Sequence, residues 1–90
     1  MNLETDTTVA VTVRFFAAAS AAAGKDSTQL TVRSCTTIDE LVAGLGVGAP
    51  ELARVLSRCS LLCDGVAVRE RTQPLRPGTT IDVLPPFAGG

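Results

Sequence analysis

The sequence predicts a single α+β domain, with one sheet covered on one face by a helix and left partly open on the other. Three observations lead there. "VAVTVRFF" (residues 9–16) alternates strictly, "TTIDELVAGLG" (36–46) repeats its apolar residues at helical spacing, and "TIDVL" (80–84) alternates again near the end of the chain. A chain of 90 residues supplies one core, since a second could not be built from what the first leaves over. The residues are 46% hydrophobic but only 3% aromatic, so that core must be made of Val, Leu, Ile and Ala.

In the first strand Val9, Val11, Val13 and Phe15 share one face and Ala10, Thr12, Arg14 and Phe16 the other. "AAASAAAG" (17–24) is helix-prone and stops at Gly24, which predicts a short helical turn with a glycine cap. "STQLTVRS" (27–34) places Leu30 and Val32 in alternation, a strand that the short connection makes antiparallel to the first. Ile38, Leu41, Val42 and Leu45 form the stripe of the main helix. Thr37 and Glu40 stand in capping-box relation at its start, and Gly46 ends it. A second helical stretch begins at Pro50, with Leu52, Val55, Leu56 and Cys59 on one face. "SLLCDGVAVRE" (60–70) reads as two strands around an Asp64-Gly65 turn, and Pro77-Gly78 marks another turn. In the last strand Ile81 and Val83 point inward, Asp82 and Leu84 outward.

Composition excludes several classes of function. The 8 basic and 9 acidic side chains, net charge -1, create no field that would gather nucleic acid or an anionic membrane. No apolar run approaches the ~18 residues that span a bilayer, and Met1 to Thr8 lacks the basic-then-apolar order of a signal peptide, so a cytoplasmic protein is expected. The absence of histidine removes Ser-His and Cys-His nucleophiles and any zinc site with a His ligand. Cys59 and Cys63 are read as small buried hydrophobes. Cys35 precedes a helix cap with no base nearby. Asp39 and Glu40 suit the dipole of a first helical turn better than a catalytic dyad. Arg69, Arg71 and Arg76 are either solvated surface or a means of steering toward an acidic groove.

Two features point to a partner. Phe16 and Leu84 have the opposite parity to the core residues of their strands, so both are expected to be exposed; if the two strands are neighbours, they form one apolar patch. Beyond Leu84 the chain reads "PPFAGG". Pro85 and Pro86 lack amide hydrogens, end the ladder and favour an extended chain, and six such residues reach roughly 20 Å. Phe87 offers one anchor, and Ala88, Gly89 and Gly90 are slim enough for a narrow channel. The reactive group at the tip is the main-chain carboxylate. Its negative charge repels nucleophiles, so it must first become an anhydride, which in a cell usually means adenylation by ATP. The expected organisation is a flexible N-terminus (1–8), a domain (9–84) and an extended C-terminal tail (85–90).

"VRFFAAA", the hairpin around Asp64-Gly65 and "PLRPGTTIDVLPPFAGG" together resemble the small subunit of molybdopterin synthase, of the ubiquitin-like, β-grasp sulfur carriers. The resemblance covers Val9 to Gly90, and the paired prolines favour the molybdopterin branch over the thiamine one. It implies a carrier subunit with no bound cofactor and no catalytic side chain of its own. Gly90 is adenylated by an ATP-using activating enzyme, sulfurated to a thiocarboxylate, and inserted with Pro85, Pro86, Phe87, Ala88 and Gly89 into the large synthase subunit, typically within a heterotetramer. There the sulfur goes to a pterin precursor, in molybdenum cofactor biosynthesis. Phe16 and Leu84 match positions that pack against partners. Ser20 and Ala21 stand where family members often carry Arg-Glu, which removes one charged contact to a partner. A carrier for thiamine or cysteine synthesis, and a ubiquitin-like modifier or binding module, are the alternatives.

Overall fold

The structure, a computed structural model, describes residues 7–86. Within them the chain runs β1 (Thr8–Phe15), α1 (Ala18–Ala23), β2 (Ser27–Arg33), α2 (Ile38–Leu45), α3 (Pro50–Leu56), β3 (Ser60–Cys63), β4 (Val66–Ala67) and β5 (Thr80–Leu84). The sheet order is β2-β1-β5-β3-β4. β1 pairs antiparallel with β2 and parallel with β5, and β3 pairs antiparallel with both β5 and β4. The first and last strands are therefore the central neighbours, and both end at the same edge of the sheet.

Register explains the core. Val13 faces Ile81, which faces Cys63, and Phe15 faces Val83, which faces Leu61, so each row crosses three strands on one face. Against these rows pack Ile38, Leu41 and Val42 of α2, Leu52 and Leu56 of α3 and Ala19 of α1. The cover is thus shared: α2 is the longest helix, and α3 adds its own stripe beside it. Leu30 and Val32 of β2 are only partly buried, as befits an edge strand.

Local chemistry sets the boundaries. The Thr37 side chain accepts from the Glu40 amide at 3.1 Å, and the Glu40 carboxylate accepts from the Thr37 amide at 3.0 Å. Such a cap stabilises a helix by about 1 kcal/mol. Asp64 and Gly65 both have positive φ, 50° and 86°, the pattern of a two-residue hairpin turn. Gly78, at φ 79°, closes the Pro77 turn, with the Thr79 amide donating to the Arg76 carbonyl at 3.2 Å.

One expectation needs correction. The strand expected through "VAVRE" stops at Ala67, because the following segment turns to cap α2: the carbonyls of Arg71 and Gln73 accept from the Asp39 and Ile38 amides. Gly46 ends α2 as expected, in an ordinary right-handed conformation, φ -88°. A β-carbon there would stand 2.8 Å from the Ala53 β-carbon and 3.2 Å from its α-carbon, so what requires glycine is the close approach of α3.

Candidate functional site: the open sheet face and the root of the tail

The face of the sheet opposite the core carries Thr12 and Arg14 from β1, Thr80, Asp82 and Leu84 from β5, and Ser60 and Leu62 from β3. Register sets Arg14 directly beside Asp82, and Asp82 beside Leu62. Arg14 Nε donates to Asp82 Oδ1 at 2.6 Å and Nη2 donates to Oδ2 at 2.8 Å, a side-on two-pronged pair. The hydrogen bond and charge of Asp82 raise the Arg14 pKa above its ordinary value. Asp82 was expected to point outward, and it does, yet it is only 6% exposed. A central strand is flanked on both sides, and the arginine lies across the carboxylate.

Phe16 follows β1 directly and is exposed, with the Arg14 guanidinium 5.6 Å from its ring centroid. Ala17, next in the chain, holds φ 53° and ψ -127°, a strained conformation for a residue with a β-carbon. Leu84 was expected to be exposed and is half-buried, because β1 and β3 flank it. The β1–β5 register, Phe15 beside Val83, brings Phe16 and Leu84 to the same edge.

That edge is also where the chain departs. Pro85 is buried and Pro86 exposed, so the packed body extends one residue past Leu84. Both prolines line a groove of about 320 Å³ with Ala18 of α1 and Glu51, Arg54, Val55 and Arg58 in and after α3. Phe87, Ala88, Gly89 and Gly90, the remaining residues expected to carry the chemistry, lie outside the described residues.

The cysteines separate by environment. Cys59 is buried and its thiol donates to the Val55 carbonyl at 3.2 Å; Cys63 is half-buried and Cys35 exposed. Burial pushes the Cys59 thiol above its ordinary 9.0, with Arg71 opposing. Burial and the charge of Asp64 do the same to Cys63, with Arg76 opposing. Protonated thiols are thus favoured in the folded state, so the stability they retain below pH 9.0 is lost as pH rises through the raised native values. In native protein at pH 8, Cys35 is expected to react first with a thiol-specific alkylating reagent, Cys59 only after denaturation; peptide mass mapping gives the order.

Of the three arginines expected on the surface, Arg69 and Arg76 are exposed. Arg71 is half-buried, donates to the Cys59 carbonyl at 3.4 Å and lies 3.9 Å from Asp39. No helix among the described residues is long and apolar enough to cross a membrane.

A model of the ThiS family matches residues 13–90, from the middle of β1 through Gly90. The chain belongs to the ThiS family. It is a ubiquitin-like β-grasp domain of the sulfur-carrier type, and solved structures agree on the fold. This ThiS-family chain resembles small archaeal modifier protein 1 from Haloferax volcanii with TM-score 0.78 and 21% identity, over 90% of this chain and 99% of that one. It resembles a Pyrococcus furiosus protein described as molybdopterin converting factor, subunit 1, with TM-score 0.79 and 18% identity, over 88% and 99%. In a Helicobacter pylori complex of subunits 1 and 2 of molybdopterin-converting factor, the matching chain gives TM-score 0.63 and 23% identity, over 91% and 100%. No curated protein sequence matches.

What sequence reasoning missed is the Arg14–Asp82 pair. Its signal was present, two opposite charges on the outward parity of two strands, but their register cannot be read from the strands alone.

Proposed function

We propose that this chain is the sulfur-carrying small subunit of a molybdopterin synthase, with the Gly90 carboxylate as its working group. The observation that carries the reading is the place where the chain leaves the sheet: β5 ends at Leu84, at the edge it shares with Phe16, the next residue Pro85 is buried, and the family match continues from there through Gly90. On this reading Pro85 is the fixed root of the 85–90 tail. Pro86, Phe87, Ala88 and Gly89 carry the terminal carboxylate into two clefts in turn.

In the first cleft, an activating enzyme's, a Gly90 oxygen attacks the α-phosphorus of ATP and pyrophosphate leaves. Sulfide then displaces AMP from the acyl carbon, which leaves a thiocarboxylate. In the second, that of a large synthase subunit docked over Phe16 and Leu84, the thiocarboxylate sulfur attacks a carbon of a pterin precursor and displaces an oxygen leaving group, and water then cleaves the resulting thioester, so that the sulfur stays on the pterin and the Gly90 carboxylate returns. The chain supplies no acid or base. It supplies an uncrowded acyl carbon, because Gly90 has no β-carbon, and a stiff Pro-Pro start to the tail. The Helicobacter pylori complex, in which subunit 1 is paired with subunit 2, supports a large-subunit partner.

The reading is tested by incubating the full chain with its activating enzyme, ATP and a sulfide source. The intact mass is expected to rise by the difference between sulfur and oxygen. An unchanged mass under conditions that load a known carrier overturns it. Loading without pterin conversion moves the chain to another sulfur pathway, and isopeptide bonds to lysines make it a modifier.

A further inference from the structure

The open face is apolar at its edge but not at its centre. Asp82 is almost completely buried there, and its carboxylate is held by one guanidinium. Arg14 meanwhile remains half-exposed, with 53% of its side chain accessible. The pair uses Nε and one hydrogen of Nη2; the remaining N–H groups, including both on Nη1, have no partner among the described residues. The central carbon of the same guanidinium stands over the Phe16 ring, 5.6 Å from its centroid. Because Asp82 fixes Arg14 side-on, Arg14 in turn fixes where the ring stands, just before the strained backbone of Ala17.

A protein that covers Phe16 and Leu84 must also cover Arg14. If its surface is apolar there, the free N–H groups lose water and gain nothing, which penalises binding. If it presents oxygen acceptors, each unmet donor becomes a charge-assisted hydrogen bond. We infer that Arg14 is a specificity-determining residue of the docking face: held by Asp82, it selects a partner surface that sets an oxygen-acceptor site beside an apolar patch, and rejects uniformly apolar ones. This rests on the large-subunit reading above, and it adds to that reading what the partner must carry.

Charge alone does not produce the effect. Asp82 already neutralises Arg14, so a lysine would keep the net charge while losing the planar fork and the contact with Phe16. The pair is also not needed for folding in the way a core residue is, since a matched ion pair can be exchanged for apolar side chains at little cost.

Binding to the cognate large subunit is measured by calorimetry for the wild type, for R14L/D82V and for Arg14→Lys, with melting temperatures of the free domains. R14L/D82V removes both charges together and keeps strand-compatible side chains. It is expected to melt at or above the wild type and yet bind at least about tenfold more weakly, because the partner's acceptors lose their donors. Arg14→Lys is expected to melt near the wild type and bind several-fold more weakly. Equal or tighter binding by either folded variant overturns the inference while leaving the carrier reading intact. Failure of the wild type itself to bind overturns the large-subunit reading and this inference with it.

Discussion

Deleting Gly89 and Gly90 is expected to abolish thiocarboxylate formation while leaving the melting temperature of the domain unchanged. The separation of the two readouts is the point. Among the described residues the core runs from Val9 to Val83, and the deletion removes none of it. The proposed chemistry has nothing but them, because no side chain of this protein stands in for the terminal acyl group. A bulky residue added after Gly90 is expected to give the same result: the acceptor carbonyl is moved and crowded, though every contact of the fold is kept. On the proposed reading, in a strain lacking this gene the full chain is expected to restore molybdoenzyme activity and the truncated chain is not. Full activity from the truncated chain would show that the carboxylate is not the working group, whatever the family resemblance.

The same division between fold and tail explains what could be read from the residues. Alternation in "VAVTVRFF" located β1 and its buried face because a sheet covered on one side imposes a period of two. The Thr37–Glu40 box and the Ile38, Leu41, Val42 stripe located α2 for a similarly local reason, as the signals lie within one or two turns. Asp64-Gly65 fixed its hairpin through backbone angles that few residues accept. What stayed hidden depends on contacts between distant segments. "VAVRE" has strand-like alternation, yet its continuation is recruited to satisfy the amides of α2, a demand made by residues some thirty positions earlier. Gly46 looks like an ordinary helix stop until α3 is seen to touch it. Arg14 and Asp82 become a pair only once β1 and β5 are neighbours in a known register. The site was legible in the same measure. Phe16 and Leu84 could be singled out by parity, and the tail by its composition. The polar pair in the row beside the two apolar positions, and the burial of Pro85, needed the fold.

Ile81→Ala is expected to produce the largest loss of stability among single core changes. Ile81 is fully buried in the central strand, between Val13 and Cys63, and is among the largest such side chains in the domain. Truncating it removes apolar contact on the row that joins three strands, and the backbone on either side is held by ladders that cannot close the gap. Substitutions of this type cost about 2–5 kcal/mol. A domain of this size has roughly 5–10 kcal/mol in all, so the variant stands near the edge of folding. Denaturant unfolding should show a large fall in midpoint with an unchanged slope, the mark of lost stability rather than a changed unfolded state. Val47→Ala is the control: Val47 is 80% exposed, and its truncation should shift stability by less than about 0.5 kcal/mol. The consequence extends to the carrier, because β5 is the strand that ends in the tail. A partly unfolded β5 frees Pro85 from its buried seat, and the terminal glycines then lose the fixed root from which a partner would receive them. Loading of Ile81→Ala by the activating enzyme should therefore decline over the same denaturant range as the fold. If loading persists after the domain has unfolded, the β-grasp body contributes nothing to presenting the tail, and the role assigned to Pro85 falls.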